Sequence, residues 1–100
     1  MKAFVGSTVV AEAPVEELVK IEGNWYFPPS SLTDGVFEKS PTQYHCPWKG
    51  DTQYWNVVVG DDVVTDGAWS YPEPIPSSFD RVGQDYSGYV AFDRAVTVSE

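Results

Sequence analysis

The residues of this chain best suited to covalent or proton-transfer chemistry lie together. Its only His, His45, and its only Cys, Cys46, are neighbours, and Lys49 follows within the run Tyr44 to Trp55, YHCPWKGDTQYW. A thiolate nucleophile needs a nearby cation and some exposure, and Lys49 offers the cation across a turn bent by Pro47. His45 is the candidate base for Cys46. Adjacent residues on a straight strand point to opposite faces, so the pair can meet only at a bulge or at the bend before Pro47. The competing readings are a Cys46 that is a small buried apolar residue, or one with a redox or ligand-contact role. His45 has its own alternatives: a structural residue bonded to an acid such as Asp51 or to backbone, or a proton donor or anchor if it faces a cavity.

Lys49 in the loop PWKGD is a candidate anion clamp, with Gly50 letting a ligand approach the backbone; the alternative is a solvated lysine paired with Asp51. Around it the chain supplies Trp48, Tyr54, Trp69, Tyr71 and Tyr26, aromatic walls for a planar or apolar ligand, each with one polar handle. Trp55 is assigned to the core, because it shares a strand face with Val57 and Val59. A structural zinc site wants four N or S ligands and the chain has one of each, which leaves only His45 with scattered carboxylates. No metal site and no cofactor are expected.

The field of the whole molecule restricts the partners. Fifteen acids against six bases give a net charge of −9, which repels phosphate polymers and anionic lipid surfaces. Neither nucleic acid nor a membrane is an expected partner. The acids are scattered, as on an ordinary solvated surface. A lone Cys forms no internal disulfide, and no charged segment followed by an apolar run opens the chain, so a cytoplasmic setting is expected.

One hundred residues make about one small domain with one core. Fifteen Val stand against two Leu and two Ile, with fifteen aromatics beside them, a choice that suits pleated sheets over helices. The reading is all-β: antiparallel hairpins in two packed sheets, with at most one or two short helical turns. Ala3 to Ala13 reads as a hairpin about Gly6-Ser7, a type II′ turn. Leu18 to Glu22 reads as a strand, Gly23-Asn24 as a turn, and Trp25 to Phe27 as a strand stopped by Pro28-Pro29. Ser30 to Gly35 is a loop or single helical turn.

Val36 to Lys39 and Thr42 to Cys46 are two short strands bent about Ser40-Pro41. Gln53 to Val59 is the strongest strand, and Asp62 to Ala68 returns from Gly60-Asp61. Its VGDDVVTDG echoes VGSTVVAEA at Val5 to Ala13, through convergence on one turn geometry or through duplication. Pro72 to Pro76, PEPIP, forces an extended path. Ser77 to Asp85 is a loop or helical turn, and Tyr89 to Phe92 and Ala95 to Val98 are late strands.

The ordered set His45 to Gly50, Tyr54-Trp55, Ala68 to Tyr71 and Gly88 to Phe92 resembles the DUF427 family of small bacterial proteins, over nearly the whole chain. The resemblance implies a single compact β domain over 1–100 with tent-like packed sheets and no established biochemical function. It also brings a nucleotidyltransferase-like label, for which the chain has no glycine-rich phosphate loop and no clustered metal-binding acids.

Three functions stay open. The first is a small-molecule binding domain whose pocket lies between two sheets, walled by the segments Tyr44 to Trp55 and Trp69 to Tyr71. The second is a small enzyme acting through Cys46 or His45. The third is a protein-interaction module using Pro72 to Pro76 and exposed aromatics. A monomer or weak homodimer is expected.

Overall fold

A computed structural model describes residues 1–100 and shows an all-β domain of nine strands in antiparallel sheets. The sheets number three where two are expected from the sequence. Sheet A joins β1 (Lys2–Val5), β2 (Thr8–Glu12) and β9 (Thr97–Ser99) in the order β2-β1-β9. Sheet B is the hairpin of β3 (Val19–Ile21) and β4 (Asn24–Tyr26). Sheet C runs in sequence order through β5 (Phe37–Cys46), β6 (Gly50–Val59), β7 (Asp62–Ser70) and β8 (Val90–Phe92). Helical structure is slightly richer than expected: two 3₁₀ turns, Val15–Glu17 and Pro29–Ser31, and one short helix, α1 (Ser77–Val82).

Turn chemistry explains the hairpins. Gly6 and Gly60 both have φ of +59° and are followed by residues with negative φ, as type II′ turns require, so the two hairpins that echo each other in sequence share one turn geometry. The β3–β4 turn falls on Glu22-Gly23, one residue earlier than the sequence indicates. Both residues have positive φ, +52° and +83°, the signature of type I′. A left-handed Glu is not readable from composition, because an adjacent Gly-Asn pair is the stronger turn signal.

Sheet C is the central layer, and its alternation serves two cores. One face sends Val57, Ala68, Val90 and Phe92 against Ala3, Val10 and Ala11 of sheet A, with Phe27 among them. Trp55 packs on this face as expected and donates from Nε1 to Ser70 Oγ at 3.1 Å. The other face sends Trp69, Ala91 and Cys46 toward Val19, Ile21 and Tyr26 of sheet B. Tyr86, fully buried, centres that second core. Its ring meets Tyr26, Tyr71 and Phe79 edge-on at 6.4, 6.3 and 5.8 Å, and its hydroxyl donates to Ser78 Oγ at 2.8 Å. Each such pair adds about 0.5–1.5 kcal/mol beyond area burial.

Two irregularities in sheet C lie opposite each other. On β5 the ladder breaks between Lys39 and Gln43, so the predicted pair of short strands is one strand with a bulge at Ser40-Pro41. On β7 it breaks between Val64 and Ala68, where Asp66 takes a φ of +52°. Asn56, between them, accepts from the Asp66 backbone N–H through Oδ1 at 2.9 Å. Gly67 is what makes the second bulge possible. A Cβ there would sit 2.8 Å from Val64 Cγ1 and 3.0 Å from the Val64 carbonyl oxygen. Gly67→Ala is therefore expected to cost about 1–3 kcal/mol, as overpacking against backbone does, and denaturant unfolding of the variant checks it.

Candidate functional site

The β3–β4 hairpin leans over the second face of sheet C and leaves a cleft of about 330 Å³ between them. Alternation decides which side chains enter it. Cys46 and Tyr44 of β5, Tyr54 of β6 and Trp69 of β7 all lie on this face, because Tyr54 pairs directly with Trp69. Tyr26 and Glu22 come from the hairpin, and Tyr71 from just beyond β7.

Lys49 is the centre of the site. It is 5% exposed, and its ammonium donates a short hydrogen bond to Glu22 Oε1. The ammonium lies 5.0 Å from the Tyr71 ring centroid and 5.1 Å from that of Trp48. Burial alone would push its pKa down, yet the hydrogen bond to Glu22, together with Tyr26 and Tyr71, more than reverses this and holds the pKa above its ordinary value. Lys49 is thus a fixed cation, and its partner is Glu22 in place of the neighbouring Asp51. The turn that puts Glu22 in a left-handed conformation aims its carboxylate at this lysine.

Trp69 Nε1 donates to Tyr26 Oη at 3.0 Å across a T-shaped contact of 6.5 Å. Tyr26 is 1% exposed, and burial is the main reason its hydroxyl pKa is pushed up to about 12, against opposing contributions from Trp69 and Lys49. Asp66 at the opposite wall accepts from Ser40 Oγ and, at 2.7 Å, from Thr42 Oγ1. The two bulges thereby join into one clamp around its carboxylate.

Tyr26, Cys46, Lys49, Tyr54, Trp69 and Tyr71 therefore meet in one cleft, and His45 and Trp48 stand outside it. His45 pairs with Asp51 and Cys46 with Gly50 in an unbroken ladder, so imidazole and thiol project to opposite faces. The Cys46–His45 dyad is not assembled. His45 Nδ1 instead meets Asp51 Oδ1 at 2.8 Å, both side chains being well exposed. A wider groove of about 530 Å³ runs beside His45, but its walls are polar residues of the strand surface with no buried charge among them. Trp48 covers Lys49 from beside the cleft, with the Arg81 guanidinium 4.2 Å from its ring centroid. Gly50 also has a different use. The backbone of Glu73 to Ile75 occupies the space beside it, with Ile75 N–H donating to the Lys49 carbonyl at 2.9 Å.

Glu22, Asn24, Tyr44, Asp66 and Asp93 line the cleft without having been singled out from sequence. Acids are scattered through the chain, and only the pairing of the strands separates these from the rest. Glu22 and Asp66 are the two non-glycine residues with left-handed backbone, and both line the cleft. Such strain gathers where a side chain must be aimed.

These features define a small tent-like all-β domain with one aromatic cleft built around a buried lysine and its carboxylate partner. The chain belongs to the family described as Domain of unknown function (DUF427), whose model matches residues 2–99. No curated protein matches the chain.

Proposed function

We propose that this protein binds a small molecule in the cleft between the β3–β4 hairpin and sheet C. The observation that carries this reading is Lys49: an ammonium buried among aromatic rings, fixed by Glu22, and facing an open cleft. Burial of a charge is costly, and perturbed titratable groups in a cleft gather at functional sites. Tyr26, Tyr54, Trp69 and Tyr71 supply walls with polar tips, as small-ligand sites do. The free edge of β5, broken by Pro41 and its bulge, favours a monomer. The lone free thiol of Cys46 fits a cytoplasmic setting.

Cys46 lines the same cleft and is 6% exposed, which makes it a built-in reporter. In the folded protein its alkylation is expected to be slow, and His45→Ala is expected to leave the rate within about twofold, since surface changes of this kind move stability by no more than about 0.5 kcal/mol. A fragment library read by alkylation protection and by chemical shifts of the cleft aromatics should yield occupants. Fast alkylation at neutral pH that falls in His45→Ala and Lys49→Ala would instead establish a reactive thiol and favour the enzyme reading.

A further inference from the structure

We infer that the occupant of this cleft is an uncharged or singly cationic ring rich in hydroxyl groups, of monosaccharide size, and that nucleotides are excluded. The inference rests on the binding reading above and adds the ligand class to it.

The floor of the cleft offers hydrogen-bond donors that the protein leaves unused. Tyr71 is 4% exposed, lines the cleft, and its hydroxyl makes no hydrogen bond within the protein. That hydroxyl is not sealed in, because Thr52 Oγ1 is the one fully buried side-chain polar atom without a partner. Tyr26 Oη accepts from Trp69, but its own O–H finds no acceptor. Lys49 gives one of its N–H bonds to Glu22 and keeps the others. Buried polar groups are normally satisfied, so unpartnered donors converging on one space call for an acceptor oxygen there.

The walls offer the opposite. Glu22, Asp66 and Asp93 are acceptors, and Asp66 is held in position by Ser40 and Thr42. Ligands that both accept at one end and donate at the other, around a body with apolar faces for Tyr54 and Trp69, are rings bearing several hydroxyls. The volume of about 330 Å³ is at the small end of ligand sites, roughly 300–1,000 Å³, and fits one ring.

Charge excludes the phosphate class that the family's nucleotidyltransferase-like label would bring. Three carboxylates face one ammonium in the cleft, and the ammonium is already paired, within a protein of net charge −9. A triphosphate would bring several negative charges into this field, and the one ammonium that could meet them is already held by Glu22. An amino sugar, by contrast, gains from the same field.

The test is saturation-transfer NMR on the intact protein with glucose, galactose, mannose and glucosamine, and with adenosine and uridine triphosphates with and without magnesium. At least one hydroxylated ring should bind saturably. Its affinity should fall about tenfold, the worth of one hydrogen bond to a polar group, in each of Tyr71→Phe and Asp66→Asn, which preserve shape. Circular dichroism and unfolding midpoints would establish that both variants stay folded. A nucleotide that binds more tightly than every sugar, or sugar binding indifferent to both substitutions, overturns the inference. If library fragments protect Cys46 while no hydroxylated ring binds, the ligand class is wrong and the cleft reading stands. If nothing at all protects Cys46, both are wrong.

Discussion

Glu22→Gln should destabilise the protein more than Lys49→Met, although Glu22 is the exposed partner of the pair. The side chain of Glu22 is 57% exposed and that of Lys49 6%. Removing the lysine leaves a carboxylate that water reaches. Removing the carboxylate leaves an ammonium buried beside Trp48 and Tyr71 with no carboxylate bonded to it. Breaking a fully buried pair costs about 3–5 kcal/mol; with half-exposed Glu22 and two rings still facing the cation, about 2 kcal/mol is expected for Glu22→Gln. Lys49→Met keeps the packing volume and loses two cation–π contacts, an expected change of about 1 kcal/mol or less. The double variant should recover most of the loss. Urea unfolding at neutral pH measures all three, and equal stability of Glu22→Gln and wild type would show that the ammonium is hydrated after all. Ligand affinity should follow the other order, dropping at least about tenfold in Lys49→Met because a charge-assisted donor is gone.

Stability should fall steeply above about pH 10. The hydroxyl of Tyr26 is raised to about 12 by burial, and burial also raises those of Tyr54 and Tyr86. Lys49 is raised as well, against its own burial, by Glu22 and the neighbouring tyrosines. In each case the folded state holds the proton more tightly than the unfolded chain. Between the two pKa values the unfolded chain has therefore released protons that the native state retains, and raising the pH favours unfolding. Each group contributes a slope of about 1.4 kcal/mol per pH unit within its window. For Tyr26 alone the window runs from the ordinary tyrosine value of 10.0 to about 12, which is on the order of 2–3 kcal/mol in all. Below pH 10 these contributions are fully present and constant. Urea midpoints taken from neutral to strongly alkaline pH should show the fall, and Tyr26→Phe should flatten it. An unchanged pH profile in that variant would mean that Tyr26 ionises as freely in the native state as in the unfolded chain.

The strand content was legible because Val and aromatic residues dominate and because Gly6, Gly60 and the prolines mark turns. Six of the eight residues put forward for the site share the cleft, since aromatics at alternate positions of paired strands must gather on one face. The same alternation separates His45 from Cys46, and adjacency in sequence was the misleading signal there. Glu22 and Asp66 were invisible for a different reason. Each owes its role to a left-handed backbone set by strand register, and register is a property of pairs of strands with no trace in either one alone. Gly50 was misassigned because a glycine signals close approach without saying whose; the occupant is the chain's own Glu73 to Ile75.

Sheet A pairs β1 with β9, placing Lys2 opposite Ser99. The two ends of the domain are thus neighbours on one sheet, and that sheet covers the face of sheet C that the cleft does not use. A tag, a fused partner or an attachment to a sensor surface, joined at either end, leaves from the same side, across sheet C from the cleft. Immobilised through one terminus, the molecule presents its mouth outward.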